Sequence, residues 1–189
     1  MFRQYVLSLT DLLQQVEADE AGEKKDLSQA VAEVLCTLKM IHQDQTLFWV
    51  GNGGSAALAA HSALDYFRTA NFRSMAFNDG PLLTCLSNDF GYPVVFEKPL
   101  ERWAVAKDLL VAISSSGKSE NILRAVNMAK RQGCRVITLS GFDRDNPLRL
   151  AGDINFYVPS HSYGQVELAH GVLCHGFLDL FMQNRKTSS

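Results

Sequence analysis

The chain has 189 residues, 47% of them hydrophobic and 20% charged, with a formal net charge of −2. Such a chain is long and apolar enough to bury a sizeable core, which excludes a disordered segment, and its slightly acidic balance argues against a duplex-DNA binder, which clusters basic charge. Nothing approaches about 18 uninterrupted apolar residues, so no membrane span is expected. The first twenty residues include Asp11 and lack a small-residue cleavage pattern, so they do not read as a signal peptide, and a cytoplasmic protein is expected. Cys36, Cys85, Cys134 and Cys174 form no C-x-x-C pair and sit among apolar neighbours; they are expected to be buried free thiols in a reducing compartment.

In chain order, Val6, Leu9, Leu12, Leu13 and Val16 recur at spacings of three and four, which predicts an amphipathic helix over 1–18. Leu27, Ala30, Val31, Val34, Leu35 and Leu38 predict a second helix over 26–42. The polar AGEKKD between them reads as a turn. The pattern then changes. TLFWVG (46–51), RSMAFN (73–78), DLLVAI (108–113), CRVITLS (134–140) and INFYVP (154–159) are short, nearly uninterrupted apolar runs, as expected of strands covered on both faces. Helical stretches separate them at 55–68 and at 119–133, the latter with a basic last turn and Gly133 as a stop; a last helix covers about 163–184. This alternation predicts an α/β three-layer sandwich with a mostly parallel five-stranded sheet. Residues 1–189 read as one domain, with 1–43 as an N-terminal helical extension that packs on the sheet or on another subunit.

Two loops stand out. In SSSGKS, Ser114, Ser115, Ser116 and Ser119 surround Gly117 directly after an apolar strand and before a helix. In open parallel sheets ligands bind beyond the C-terminal ends of the strands, and a helix N-terminus offers unpaired amides and partial positive charge. Serine hydroxyls add neutral donors, and glycine lets the backbone come close. The loop suits a phosphate monoester, or it is a capped turn without a ligand; Lys118 assists or simply faces water. Neither a Walker A loop nor G-x-G-x-x-G is present, so no nucleotide cofactor is expected. GNGGS (51–55) repeats the design, with Asn52, Gly53, Gly54 and Ser55 between a strand and a helix. Two such loops on one sheet edge fit a phosphorylated polyol.

Together GNGGS at 51–55, SNDFG at 87–91, SSSGKS at 114–119 and a last helix carrying His175 resemble the sugar isomerase (SIS) domain, and their order and spacing are similar to its phosphoheptose isomerase branch. The resemblance covers nearly the whole chain. It implies a flavodoxin-like fold and interconversion of sedoheptulose 7-phosphate and D-glycero-D-manno-heptose 7-phosphate. It also implies a homotetramer with sites at subunit interfaces, and neither nucleic acid nor membrane as a partner.

His61 and Asp65 lie four apart and share a helix face, as a local ion pair or as a metal or acid–base pair. By the resemblance, His61 falls on a zinc-ligand histidine and Asp65 on a catalytic, metal-binding glutamate, one methylene longer. In QVELAHGVLCH (165–175), His175 falls on a catalytic, metal-binding histidine and Glu167 on a position usually held by glutamine, which touches metal and substrate; His170 reads as structural. The implied Zn²⁺, one per site, has His61, Asp65, Glu167 and His175 as ligands. Glu167 and His175 are eight residues apart, about 12 Å along a straight helix. Either the helix breaks near Gly171 or the ligands come from different subunits, and the implied tetramer favours the latter.

The implied mechanism has Ser114, Ser115, Ser116 and Ser119 holding the phosphate while Asn52, Gly53, Gly54, Ser55, Asn88, Asp89 and Glu167 bind the sugar. Asp65 removes a proton beside the carbonyl, and His175 or zinc stabilises the enediolate. The departures at Asp65 and Glu167 leave two other readings: an isomerase for another sugar phosphate, or a non-catalytic regulatory member similar to the tetramer that binds the bacterial replication initiator.

Overall fold

The computed structural model describes residues 1–187. Seven strands form one sheet: β1 (Glu17–Glu20), β2 (Glu23–Lys25), β3 (Thr46–Gly51), β4 (Arg73–Ala76), β5 (Leu109–Ser114), β6 (Arg135–Ser140) and β7 (Ile154–Tyr157). The helices are α1 (Phe2–Gln14), α2 (Leu27–Lys39), α3 (Gly54–Ala70), α4 (Gly80–Phe90), α5 (Glu97–Trp103), α6 (Glu120–Arg131) and α7 (Tyr163–Thr187). None of the described helices is long and apolar enough to cross a membrane.

The strand order is β2-β1-β7-β6-β5-β3-β4. The five apolar strands are mutually parallel. Counted along the chain, those five stand in the doubly wound order 2-1-3-4-5. The order reverses between β3 and β5, so a crevice opens there beyond their C-terminal ends.

The five-stranded expectation fell short because residues 17–25 form a hairpin rather than helix end and turn. Its two-residue corner, Ala21 and Gly22, has φ of 50° and 85°, the conformation that tight hairpins require. β1 runs antiparallel to β7. Its buried Asp19 accepts from Asn155 Nδ2 at 2.7 Å, and Thr138 Oγ1 donates to Asn155 Oδ1 at 2.6 Å. This polar bridge joins the β1–β7 backbone ladder and the buried Ala18 in binding the hairpin to the sheet.

Alternation along the strands divides the core. Leu47, Trp49, Leu109, Val111, Ile113, Ile137, Leu139, Ile154 and Phe156 face α1, α2, α3 and α7. Phe48, Val50, Leu110, Ala112 and Val136 face α5 and α6. Helices cover both faces, which gives the expected three layers. The two leading helices pack on the sheet through Leu12, Ala30, Val34 and Leu38. Of the cysteines, Cys134 and Cys174 are buried, and burial pushes both thiols up to about 12; Cys36 and Cys85 are exposed, against expectation, because both lie on the outer sides of helices.

Candidate active site

The loops after β3 and β5 meet at the order reversal, and their residues line one small hollow of about 130 Å³. Asn52, Ser55, Ser114, Ser115, Ser116, Ser119 and Glu167 are brought together there, with Tyr163. Tyr163 was missed, although it lies four residues before Glu167 and so shares a face of α7.

The serine loop is shaped by Gly117, whose φ is +62°. Its amide donates to Ser114 O at 3.1 Å and Ser114 Oγ at 3.2 Å. A Cβ there would collide with the Asn146 side chain, so only glycine fits. Ser119 is the N-cap of α6, yet its hydroxyl makes no capping bond; it lies 3.4 Å from Ser114 Oγ. Ser115 Oγ is buried and has no hydrogen-bond partner. An unpaired buried hydroxyl costs free energy on the order of 1–3 kcal/mol, which a ligand's acceptor would offset. Lys118 turns away and pairs with Asp143 at 2.6 Å. Among the described residues, no lysine or arginine lines the hollow.

Glu167 enters from α7 and lies against the bare Cα of Gly54, where a Cβ would stand 2.5 Å from both carboxylate oxygens. Gly53, with φ +55°, turns the chain into α3. The Asn52 amide is held by Asn121 and Tyr92, neither of which was singled out in the sequence. Tyr92 directly follows SNDFG, so that segment reaches the site through its phenol. Asn88 and Asp89 themselves lie exposed at the end of α4, joined to each other at 2.9 Å, and do not line the hollow.

A second cluster lies on the outer faces of α3 and α7. His61 Nε2 is 3.2 Å and His175 Nδ1 3.7 Å from Asp65 Oδ2, and the two imidazole rings are 5.2 Å apart. Ligand atoms of the three residues lie within 4.8 Å of one another. Two imidazoles and a carboxylate are a donor set that suits Zn²⁺. Glu167 is not in this cluster. α7 runs unbroken past Gly171, so the alternative of a helix break is excluded. His170 is fully buried, as a structural histidine should be; burial lowers its pKa to about 4, despite the Ser140 carbonyl 3.1 Å from Nε2.

The SIS domain family matches residues 4–141. The chain belongs to the SIS domain family. Its relatives include a phosphoheptose isomerase of Sulfurimonas denitrificans, 34% identical over 84% of each chain. Another, from Coxiella burnetii, is 36% identical over 69% of each. The solved phosphoheptose isomerase of Neisseria gonorrhoeae superposes with a TM-score of 0.81 at 28% identity, covering 95% of this chain and 96% of that one. The Francisella tularensis phosphoheptose isomerase, at 24% identity and TM-score 0.79, shares the fold.

Proposed function

We propose that this chain is a phosphoheptose isomerase that interconverts sedoheptulose 7-phosphate and D-glycero-D-manno-heptose 7-phosphate. The relatives' shared name supports the reaction. The observation that carries the reading to this chain is the buried, unpartnered Ser115 hydroxyl inside a hollow of serines at the N-terminus of α6. That hollow offers hydroxyl and amide donors and no cation, which is suited to a phosphate held by neutral donors and a helix end.

Ser114, Ser115, Ser116 and Ser119 bind the phosphate, and Asn52, Ser55 and Glu167 orient the polyol. Asp65 takes the proton from the carbon beside the carbonyl and returns it to the neighbouring carbon. His175, beside it, donates a proton to the carbonyl oxygen as charge develops there and takes one from the neighbouring hydroxyl oxygen as that becomes the new carbonyl. His61, Asp65 and His175 would hold a Zn²⁺ ion, which when bound supplies Lewis acidity at that oxygen. In one chain Glu167 lies with the phosphate hollow and His175 with the cluster. The reading therefore includes a homotetramer in which the His61, Asp65 and His175 cluster of one copy meets the hollow and Glu167 of another, with Asn88 and Asp89 brought to the sugar by the same assembly. The exposed apolar residues around the cluster, Leu64, Phe67, Leu168 and Val172, support such a contact.

Asp65→Asn tests the assignment. The amide cannot take the proton, so turnover should fall by a factor of about 1,000 or more, while sugar-phosphate affinity measured by calorimetry stays within about threefold. Near-full activity in Asp65→Asn would remove the base. The shorter Asp65 and the charged Glu167 favour a second reading, an isomerase for a different sugar phosphate; a panel of five-, six- and seven-carbon ketose phosphates separates the two by which one yields an aldose.

A further inference from the structure

Asn52 is held in a hydrogen-bond arrangement that fixes what it can offer a ligand. Its Oδ1 accepts from Asn121 Nδ2 at 2.9 Å and from the Tyr92 hydroxyl at 2.8 Å. An amide oxygen has two acceptor sites, and both are filled. Its Nδ2 donates one hydrogen to Asn121 Oδ1 at 2.9 Å. One N–H remains, on a residue that lines the hollow.

A reciprocal amide pair could be reversed at both ends without losing a bond, so the pair alone does not set its orientation. The backbone does. The Ile122 amide, which can only donate and is shared with the Ser119 carbonyl at 3.1 Å, lies 3.0 Å from Asn121 Oδ1. Turning Asn121 over would set an NH₂ group against that N–H, a contact of two donors, so the orientation with Oδ1 toward Ile122 is favoured, and Asn52 follows it. Asn121 is 97% buried, on the first turn of α6. It thereby ties the β3 loop to the helix whose N-terminus carries the serines.

We propose that Asn121 is a positioning residue that locks Asn52 as a donor-only group facing the hollow, so that the ligand atom opposite Asn52 is an acceptor oxygen. The role of the hollow as a sugar-phosphate site rests on the function proposed above; the orientation of the amide does not. Asn121 touches no ligand and acts through Asn52.

The test is a double-mutant cycle on the full chain, with sedoheptulose 7-phosphate and inorganic phosphate as probes in calorimetry. Asn52→Ala and Asn121→Ala should each weaken sugar-phosphate binding about tenfold, on the scale of one lost hydrogen bond with its orientation. Asn121→Ala made in the Asn52→Ala background should then cost less than twofold more, because the group it positions is gone. A residue that merely supports the fold would cost the same in both backgrounds, and that result, or wild-type affinity in Asn121→Ala, would overturn the proposal. Hydrogen exchange of the Asn52 side-chain amide in the ligand-free protein supplies a readout independent of substrate. In the wild type one Nδ2 proton should exchange slowly and the other fast, and in Asn121→Ala both should exchange fast. Two fast protons in the wild type would sink the proposal. Failure of the wild type to bind the sugar phosphate, with this exchange asymmetry intact, would refute the proposed function and leave the positioning inference standing.

Discussion

Gly117 and Gly53 make a matched pair of perturbations. Both have positive φ, at 62° and 55°, so alanine is strained at either position; Gly53, whose ψ of −122° lies outside the left-handed well in a region that essentially only glycine occupies, carries a backbone cost of about 1–3 kcal/mol. They differ in their surroundings. A Cβ on Gly53 meets nothing within 4 Å, whereas on Gly117 it would run into the Asn146 side chain. Asn146 is buried, with Nδ2 at 2.8 Å from Asp143 O and 3.2 Å from Gly141 O and Ser140 Oγ, and Oδ1 accepting from Arg149 N at 3.0 Å. Moving it breaks two or three buried bonds at about 1 kcal/mol each. Gly117→Ala should therefore lose about 3–5 kcal/mol, and Gly53→Ala about 1–3 kcal/mol from backbone strain alone. Urea unfolding followed by circular dichroism measures both, with unchanged m-values as the check on two-state behaviour. Equal losses in the two variants would refute the idea that Asn146 wedges the serine loop into shape.

Three further predictions follow from the site and its supports. His170 has its pKa lowered by burial to about 4, so the unfolded chain takes up the proton first as pH falls. Its contribution is fully present above about pH 6.5 and is lost towards pH 4, a drop of about 3 kcal/mol that His170→Leu should flatten; a slope unchanged in that variant would assign the acid sensitivity elsewhere. Gly54→Ala pushes on the movable end of Glu167, so stability should change by under about 1 kcal/mol while sugar-phosphate affinity falls about tenfold, and wild-type affinity would show that Glu167 does not shape the hollow. Ser119→Ala should raise KM several-fold with kcat little changed, because its bond is made in ground and transition states alike; a fall in kcat alone would move Ser119 out of phosphate binding.

The parallel strands were legible because each is an apolar run closed by a loop signal, and their bounds moved by at most about two residues at most ends. The hairpin was not legible. EADE and EKK carry hardly any apolar residues, and their place in the sheet depends on Asp19 meeting Asn155, 136 residues away. α4 and α5 were also missed; α4 is started by Asp79, whose carboxylate accepts from Leu82 N at 3.1 Å, a short-range signal hidden among turn-like residues. In the site, the two glycine- and serine-bearing loops were readable from local pattern alone, because each is a strand, a tight turn and a helix start. Asn121, Tyr92 and Tyr163 were not, since their importance lies in partners up to 69 residues distant. The separation of Glu167 from His61, Asp65 and His175 was half legible: the spacing on α7 excludes one shared ion on a straight helix, and it took the unbroken α7 to close the other option.

As proposed, this protein moves a proton on a seven-carbon sugar phosphate. The most direct measurement is incubation of the purified protein with sedoheptulose 7-phosphate, with and without added Zn²⁺, followed by NMR. A new aldose C1 signal is expected, dependent on intact His61, Asp65 and His175 and strengthened by zinc. No aldose signal in either condition, with the sugar phosphate still bound tightly, would contradict it and would mean that the hollow recognises a sugar phosphate without isomerising this one.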